Sequence, residues 1–290
     1  MVYHNHSDQV RRERGKLSQE KGGNVGEVSV KTKQVIYYHD ELTDEFSTAQ
    51  IKARKIDENY CYDNNTLAGK AAHIFWYRIL ARPLAWVYLK VAYRHKIVNK
   101  QALKKEKGHG FFLYGNHTHP VADAFMPSMV SYPVDTYVIV HPNNVSMPVL
   151  GRVTPSLGAI PLPDDIGAAK NFVKVVKARI AEGKCVAIYP EAHIWPYYTG
   201  IRPFPDTSFR YPVQCGAPVY CFTDTYQKRR FSSRPRIVTY VDGPFYPDAH
   251  RTAKEQKEQL RQEVYATMKL RSENNSVERI KYIKSGETND

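Results

Sequence analysis

Acidic residues are in deficit. The chain has 29 Asp and Glu against 42 Lys and Arg, a net charge of +13 over 290 residues. Cysteine is scarce: there are four, Cys61, Cys185, Cys215 and Cys221, and no pair has C-x-x-C spacing. Cys185 and Cys221 lie in apolar runs and read as buried, reduced thiols, in keeping with a reducing cytosol. Long hydrophobic runs are missing. The most apolar stretch, from Leu67 to Tyr93, is interrupted by Lys70, Arg78, Arg82 and Lys90, whereas a membrane-spanning helix needs about 20 mostly uncharged apolar residues. The N-terminus has no apolar core of the kind a secretory leader carries, so none is expected. No internal repeat is evident. No zinc-finger spacing or nucleic-acid signature accompanies the basic charge, so nucleic acid is not the expected partner. A basic surface without such a signature suits anionic lipid headgroups or acidic carriers.

What is present divides the chain into four parts. Residues 1–34 read as a disordered basic tail. Residues 35–98 form an N-terminal segment whose first half mixes Tyr with acids and whose second half holds amphipathic helices. Residues 99–271 carry alternating strand and helix signals, and residues 272–290 are a polar, frayed tail. In the second part, Asn64, Asn65 and Thr66 are candidate caps for a helix that Pro83 should kink or break. Its Phe75, Trp76, Tyr77, Trp86 and Tyr88 among cations give the composition of a helix pair lying on a membrane surface. The same pattern also suits two helices packed on the domain's own core. In the third part the strand candidates are 111–115, 136–140, 185–189, 218–223 and 236–241. A helix is expected from about Val121 to Val130. Another is capped at Asp164 or Asp165, buries Ala169, Phe172, Val173, Val176 and Ile180, and ends at Gly183. A last helix opens with the capping box Thr252–Glu255 and aligns Leu260, Val264 and Met268. Strands alternating with helices predict an α/β fold, a central, mostly parallel sheet of about five strands flanked by helices.

The candidate chemistry lies in Gly115-Asn116-His117-Thr118-His119-Pro120-Val121-Ala122-Asp123. A histidine just past a strand end, with an aspartate on the following helix, has the makings of a base dyad. Imidazole titrates near neutrality, and a carboxylate on one ring nitrogen fixes the tautomer and leaves the other to take a proton. His119 competes for the role. A metal held by His117, His119 and Asp123 is the alternative use of these residues, and no metal is expected.

Four ordered blocks resemble the 1-acylglycerol-3-phosphate (lysophospholipid) acyltransferase family: FFLYGNHTHPVAD, LGAIPLP, EGKCVAIYPEAH and GAPVYCFTDTY. The resemblance spans roughly residues 75–270. It implies transfer of a fatty acyl group from a thioester, acyl-CoA or an acylated carrier protein, to the hydroxyl of a lysophospholipid such as 1-acylglycerol-3-phosphate. No metal or organic cofactor is implied. His117 would be the general base and Asp123 its orienter. Asn116, Gly158 and Glu191 carry over as substrate-binding residues, and a backbone amide near His117 or Gly158 is the candidate oxyanion donor. Localisation would be peripheral, on the cytoplasmic face of the cell membrane, held there by anionic lipid. Two departures stand out. The aspartate follows His117 by six residues where the family's motif has five. The Gly-Thr-Arg that usually follows Pro-Glu is Ala192-His193-Ile194, and the second block lacks its basic residue. Arg152, Arg202 or Arg210 would have to supply the missing phosphate contacts. Otherwise the acceptor differs (a glycolipid, another alcohol or an amine), or the chain is a non-catalytic, membrane-binding relative.

Overall fold

Phe111–Gly115 (β3) has no charged side chain, and each of its residues is buried. Such a strand must be covered on both faces, as in a parallel sheet between helical layers. The computed structural model, which describes residues 34–46, 52–62, 66–106 and 108–286, shows that arrangement. Before β3 come β1 (Gln34–Tyr38), α1 (Leu67–His73), α2 (Arg82–Tyr93) and β2 (Lys96–Val98). After it come α3 (Met126–Ser131), β4 (Thr136–Val140), α4 (Leu150–Val153), β5 (Ala159–Pro161), α5 (Ile166–Ala181) and β6 (Cys185–Ile188). The chain continues with α6 (Arg210–Cys215), β7 (Val219–Arg229), β8 (Ser232–Phe245), α7 (Ala253–Ser272) and β9 (Ile280–Lys284).

Seven strands form one sheet in the order β2-β8-β7-β3-β6-β4-β5. Every neighbouring pair is parallel except β7–β8, an antiparallel hairpin that places Arg229 opposite Ser232. The sheet is thus larger than the five strands read from sequence. β2 and β5 are three-residue edge strands, too short for a period-2 signal. Alternate side chains of β3 enter separate cores. Phe112 and Tyr114 pack with Phe172 and Val176 of α5 and with Leu260, Val264 and Met268 of α7. Phe111 and Leu113 pack with Ala85, Leu89 and Tyr93 of α2 and with Met126 and Met129. The capping box of α7 is made in both directions.

Four expectations need correction. Pro83 does not break the helix: Ile74–Ala81 widens into a π-helical stretch joining α1 to α2, with Arg82 N–H bonding Tyr77 C=O, so the run from Leu67 to Tyr93 is continuous. The wide turn takes up the proline, a usual use of π geometry. The expected helix over Val121–Val130 is a 3₁₀ turn, Ala122–Ala124, followed by the short α3. In α5, Asp165 is the cap and Asp164 instead accepts Ile56 N–H at 2.7 Å; the buried stripe is Ala168, Phe172, Val175, Val176 and Arg179. The C-terminal segment is not a frayed tail, since β9 pairs in parallel with β1. Thr66 caps α1, while residues 1–33, 64 and 65 lie outside the described residues.

The N-terminal helices pack through one face, where Tyr77, Ala85, Leu89 and Tyr93 are buried. Asp135, at the start of β4, anchors them. It takes Arg78 in a bidentate pair, with Lys184 at 3.1 Å and Arg82 at 3.8 Å. Burial works against the Asp135 charge, but hydrogen bonds from His73, Arg78 and Lys184 outweigh it and hold the carboxyl well below the usual range.

Candidate active site

Gly115 ends β3 where no larger residue fits: a Cβ there would overlap the Phe222 ring on the adjacent β7. Directly after it, Asn116 ties the two strands together. Its side chain donates to Asp224 C=O at 3.0 Å and accepts Asp224 N–H at 2.8 Å. The chain then leaves the sheet edge at His117, at the carboxyl ends of the parallel strands, where open α/β sheets place their ligands.

His117 Nδ1 lies 2.8 Å from Asp123 Oδ2, which also accepts His119 N–H at 2.9 Å. The extra residue in the spacing is absorbed by a turn that His119 organises. His119 Nδ1 accepts the N–H groups of Ala122 at 2.9 Å and Val121 at 3.2 Å. Its ring is buried edge-on against Tyr93 and Tyr197, and burial lowers its pKa. The two histidines are therefore separated by their surroundings. His119 caps a turn, and His117, a quarter exposed at its side chain, lines a cavity of about 730 Å³. Tyr189 stacks on the His117 ring at 4.5 Å and donates to Asp123 C=O at 2.6 Å, fixing both partners.

The loop after β6 grips the backbone of His117 on both sides. Glu191 accepts His117 N–H at 3.0 Å, and Trp195 N–H donates to His117 C=O at 3.1 Å. Glu191 also accepts Arg202 N–H at 3.0 Å, with the Arg202 guanidinium at 3.4 Å. Both side chains are fully buried. Burial raises the Glu191 pKa, and Arg202 and the His117 N–H oppose that shift. Ala192 adopts a left-handed φ of 63°, at the position where the sequence block it resembles has glycine.

The cavity is walled chiefly by apolar groups, including Phe125, Val138, Met147, Leu150, Leu157, Leu162 and Ile188. Its volume and lining suit an aliphatic chain. The acyltransferase family profile matches residues 71–223, more than half of the chain. The chain belongs to the acyltransferase family. Among solved structures, it is similar to the 1-acyl-sn-glycerophosphate (LPA) acyltransferase PlsC from Thermotoga maritima. The TM-score is 0.50 at 13% identity, covering 72% of this chain and 81% of that one, a likeness of fold. No curated protein matches the sequence.

Of the residues this acyltransferase was expected to use, His117 and Asp123 meet at the cavity. The five assigned to substrate binding do not line it. Asn116 and Glu191 are spent on backbone bonds that hold the His117 segment. Arg202 is buried against Glu191 and Trp195 and also bonds the His193 carbonyl. Arg152 is exposed on α4 outside the cavity. Gly158, at φ 91°, is a tight turn whose N–H goes to Pro155 C=O. The amides of His117 and Gly158 themselves are both engaged, so an oxyanion donor would have to be a neighbouring amide. Arg210 does reach the cavity, and so do Glu45, His141 and His193. Glu45 falls in a stretch with no periodicity, and no sequence signal marked it.

Proposed function

We propose that this acyltransferase moves a fatty acyl group from a thioester, acyl-CoA or an acylated carrier protein, to the hydroxyl of a lysophospholipid or a related monoacyl lipid. The observation that carries this reading is the His117–Asp123 pair lining a mostly apolar cavity. Asp123 on Nδ1 leaves Nε2 as the basic nitrogen. The acceptor hydroxyl gives its proton to Nε2 as its oxygen attacks the thioester carbonyl. Collapse of the tetrahedral adduct breaks the C–S bond, and the thiolate takes the proton from the imidazolium. The balance closes without a covalent enzyme intermediate, metal or organic cofactor.

A membrane surface would supply the single-chain lipid acceptor. No helix among the described residues is long and apolar enough to cross one. The continuous helix of α1 and α2 instead exposes Trp76, Leu80, Leu84, Val87 and Val91 along one side. No acid occurs from 66 to 105, while Lys and Arg recur. An apolar strip flanked only by cations suits an anionic bilayer surface, and the cytoplasmic face of the cell membrane is the site we assign.

A second reading, a different acceptor headgroup, is favoured by one observation: of Arg152, Arg202 and Arg210, only Arg210 reaches the cavity. Mass spectrometry tests both readings. The protein is incubated with deuterated acyl-CoA and single-chain lipids in vesicles. A two-chain product carrying the label, absent with His117→Ala, supports acyl transfer, and its headgroup identifies the acceptor. A label recovered only as free fatty acid would defeat the reading.

A further inference from the structure

Part of the cavity wall comes from outside the family-matched span. The segment before α1 is locked in place: Asp40 accepts the N–H groups of Leu42 and Thr43, and Asp44 Oδ2 accepts those of His39 and Asp40. The buried Trp195 indole donates to Asp44 C=O at 2.9 Å, and the Phe46 ring packs edge-on against it at 5.2 Å. Glu45, between these two anchors, is presented to the cavity with His193 Nδ1 at 3.6 Å from its carboxylate. His193 belongs to the loop that grips His117, so Glu45, more than half exposed, and His193 together form the part of the cavity rim that this loop carries.

The other charged groups of the cavity are mostly committed. Asp123 faces His117, and Arg82 is tied to Tyr77 and Asp135. Arg210 reaches the cavity while donating to the Tyr211 hydroxyl at 2.8 Å. A phosphate monoester would bring close to two negative charges toward the Glu45 carboxylate, with Arg210 the one cavity guanidinium not already paired with a carboxylate among the described residues. A headgroup offering hydroxyl or ammonium donors would instead pair with that carboxylate. We propose that Glu45, with His193, forms an acceptor-headgroup subsite that selects hydrogen-bond-donating headgroups and rejects a terminal phosphate. The inference rests on the acyl-transfer reading and names its acceptor class. Selection of this kind combines a repulsive element with an attractive one.

The test measures acceptor-dependent thiol release from acyl-CoA in mixed micelles. Three acceptors share one acyl chain: 1-acylglycerol-3-phosphate, 1-acylglycerophosphoethanolamine and an uncharged monoacyl glycosylglycerol. The wild type should favour the last two over the first by about tenfold in kcat/KM, a discrimination one charged contact can supply. Glu45→Lys should reverse the order through KM. Glu45→Gln should narrow both advantages over the phosphate monoester, and that of the ammonium headgroup most, because it loses the ion pair as well as the repulsion. A wild-type preference for the phosphate monoester, or Glu45 variants that change all three acceptors alike, would overturn the subsite. Release that His117→Ala abolishes sustains acyl transfer whatever the ranking. No release with any acceptor overturns the acyl-transfer reading and the subsite with it.

Discussion

Two buried histidines near the site illustrate how surroundings set what a side chain can do. His119 shares the motif with His117 but spends Nδ1 on backbone N–H groups. Burial, with the positive charges of Lys90, Lys100 and Arg236, lowers the His95 pKa to about 4. Its Nε2 lies 2.8 Å from the Thr239 hydroxyl, which in turn bonds the buried Asp224. In the unfolded chain a histidine titrates near about 6.5. Between the two values the unfolded state binds more protons, so stability is full above about pH 6.5 and falls as the pH drops toward 4. The expected loss is about 3 kcal/mol by pH 4, of which about 2 kcal/mol falls between pH 7 and pH 5. Urea unfolding at pH 7 and pH 5 should show it, with a shallower dependence in His95→Gln. An unchanged slope in the variant would remove His95 as the cause. At the dyad, Asp123→Asn should lower kcat by about a hundredfold or more while thermal melting stays near wild type, because the wrong His117 tautomer is then favoured. Arg202 shows a limit of sequence reading. Nothing in its neighbours announces full burial, since arginine is normally exposed unless paired, and its partner Glu191 is eleven residues away.

The strands that pass through the centre of the sheet were legible because their residues are apolar on both faces, as in FFLYG and CVAI. The helix α7 was legible from its caps and stripe. β1 and β9 were not, because each finds its only strand partner among the described residues at the other end of the chain and neither alternates strictly in burial. The His117–Asp123 pair was legible as residue types, but its closure depends on the His119-organised turn, which spacing does not encode. Two predictions belong to elements. Gly115→Ala places a methyl against the Phe222 ring and should cost about 1–3 kcal/mol, read by chemical denaturation. A cost near zero would mean that the β3–β7 contact yields easily. On α2, Leu84 and Val91 are 60% and 74% exposed. Replacing both with Glu should reduce co-sedimentation with anionic vesicles several-fold, leaving melting nearly unchanged, because exposed positions contribute little to folding. Undiminished sedimentation would move the membrane contact elsewhere.

For the whole molecule, the architecture gathers three remote parts at one sheet edge. β3 delivers the dyad, the loop after β6 holds its backbone, and the paired ends β1 and β9 brace that loop through Trp195 and Tyr282, whose rings stack at 5.0 Å. On the proposed membrane-surface reading, the net charge of +13 would add a long-range attraction to anionic lipid that salt screens. Vesicle binding should therefore weaken steadily between low and physiological ionic strength, and salt-insensitive binding would leave only the apolar strip. The most direct test of the central claim, that His117 is the base of an acyl transfer, is thiol release from acyl-CoA with and without a panel of single-chain lipid acceptors, comparing wild type with His117→Ala. Acceptor-dependent release in the wild type that falls about a thousandfold in the variant is the outcome the geometry predicts. Release that survives the substitution would contradict it.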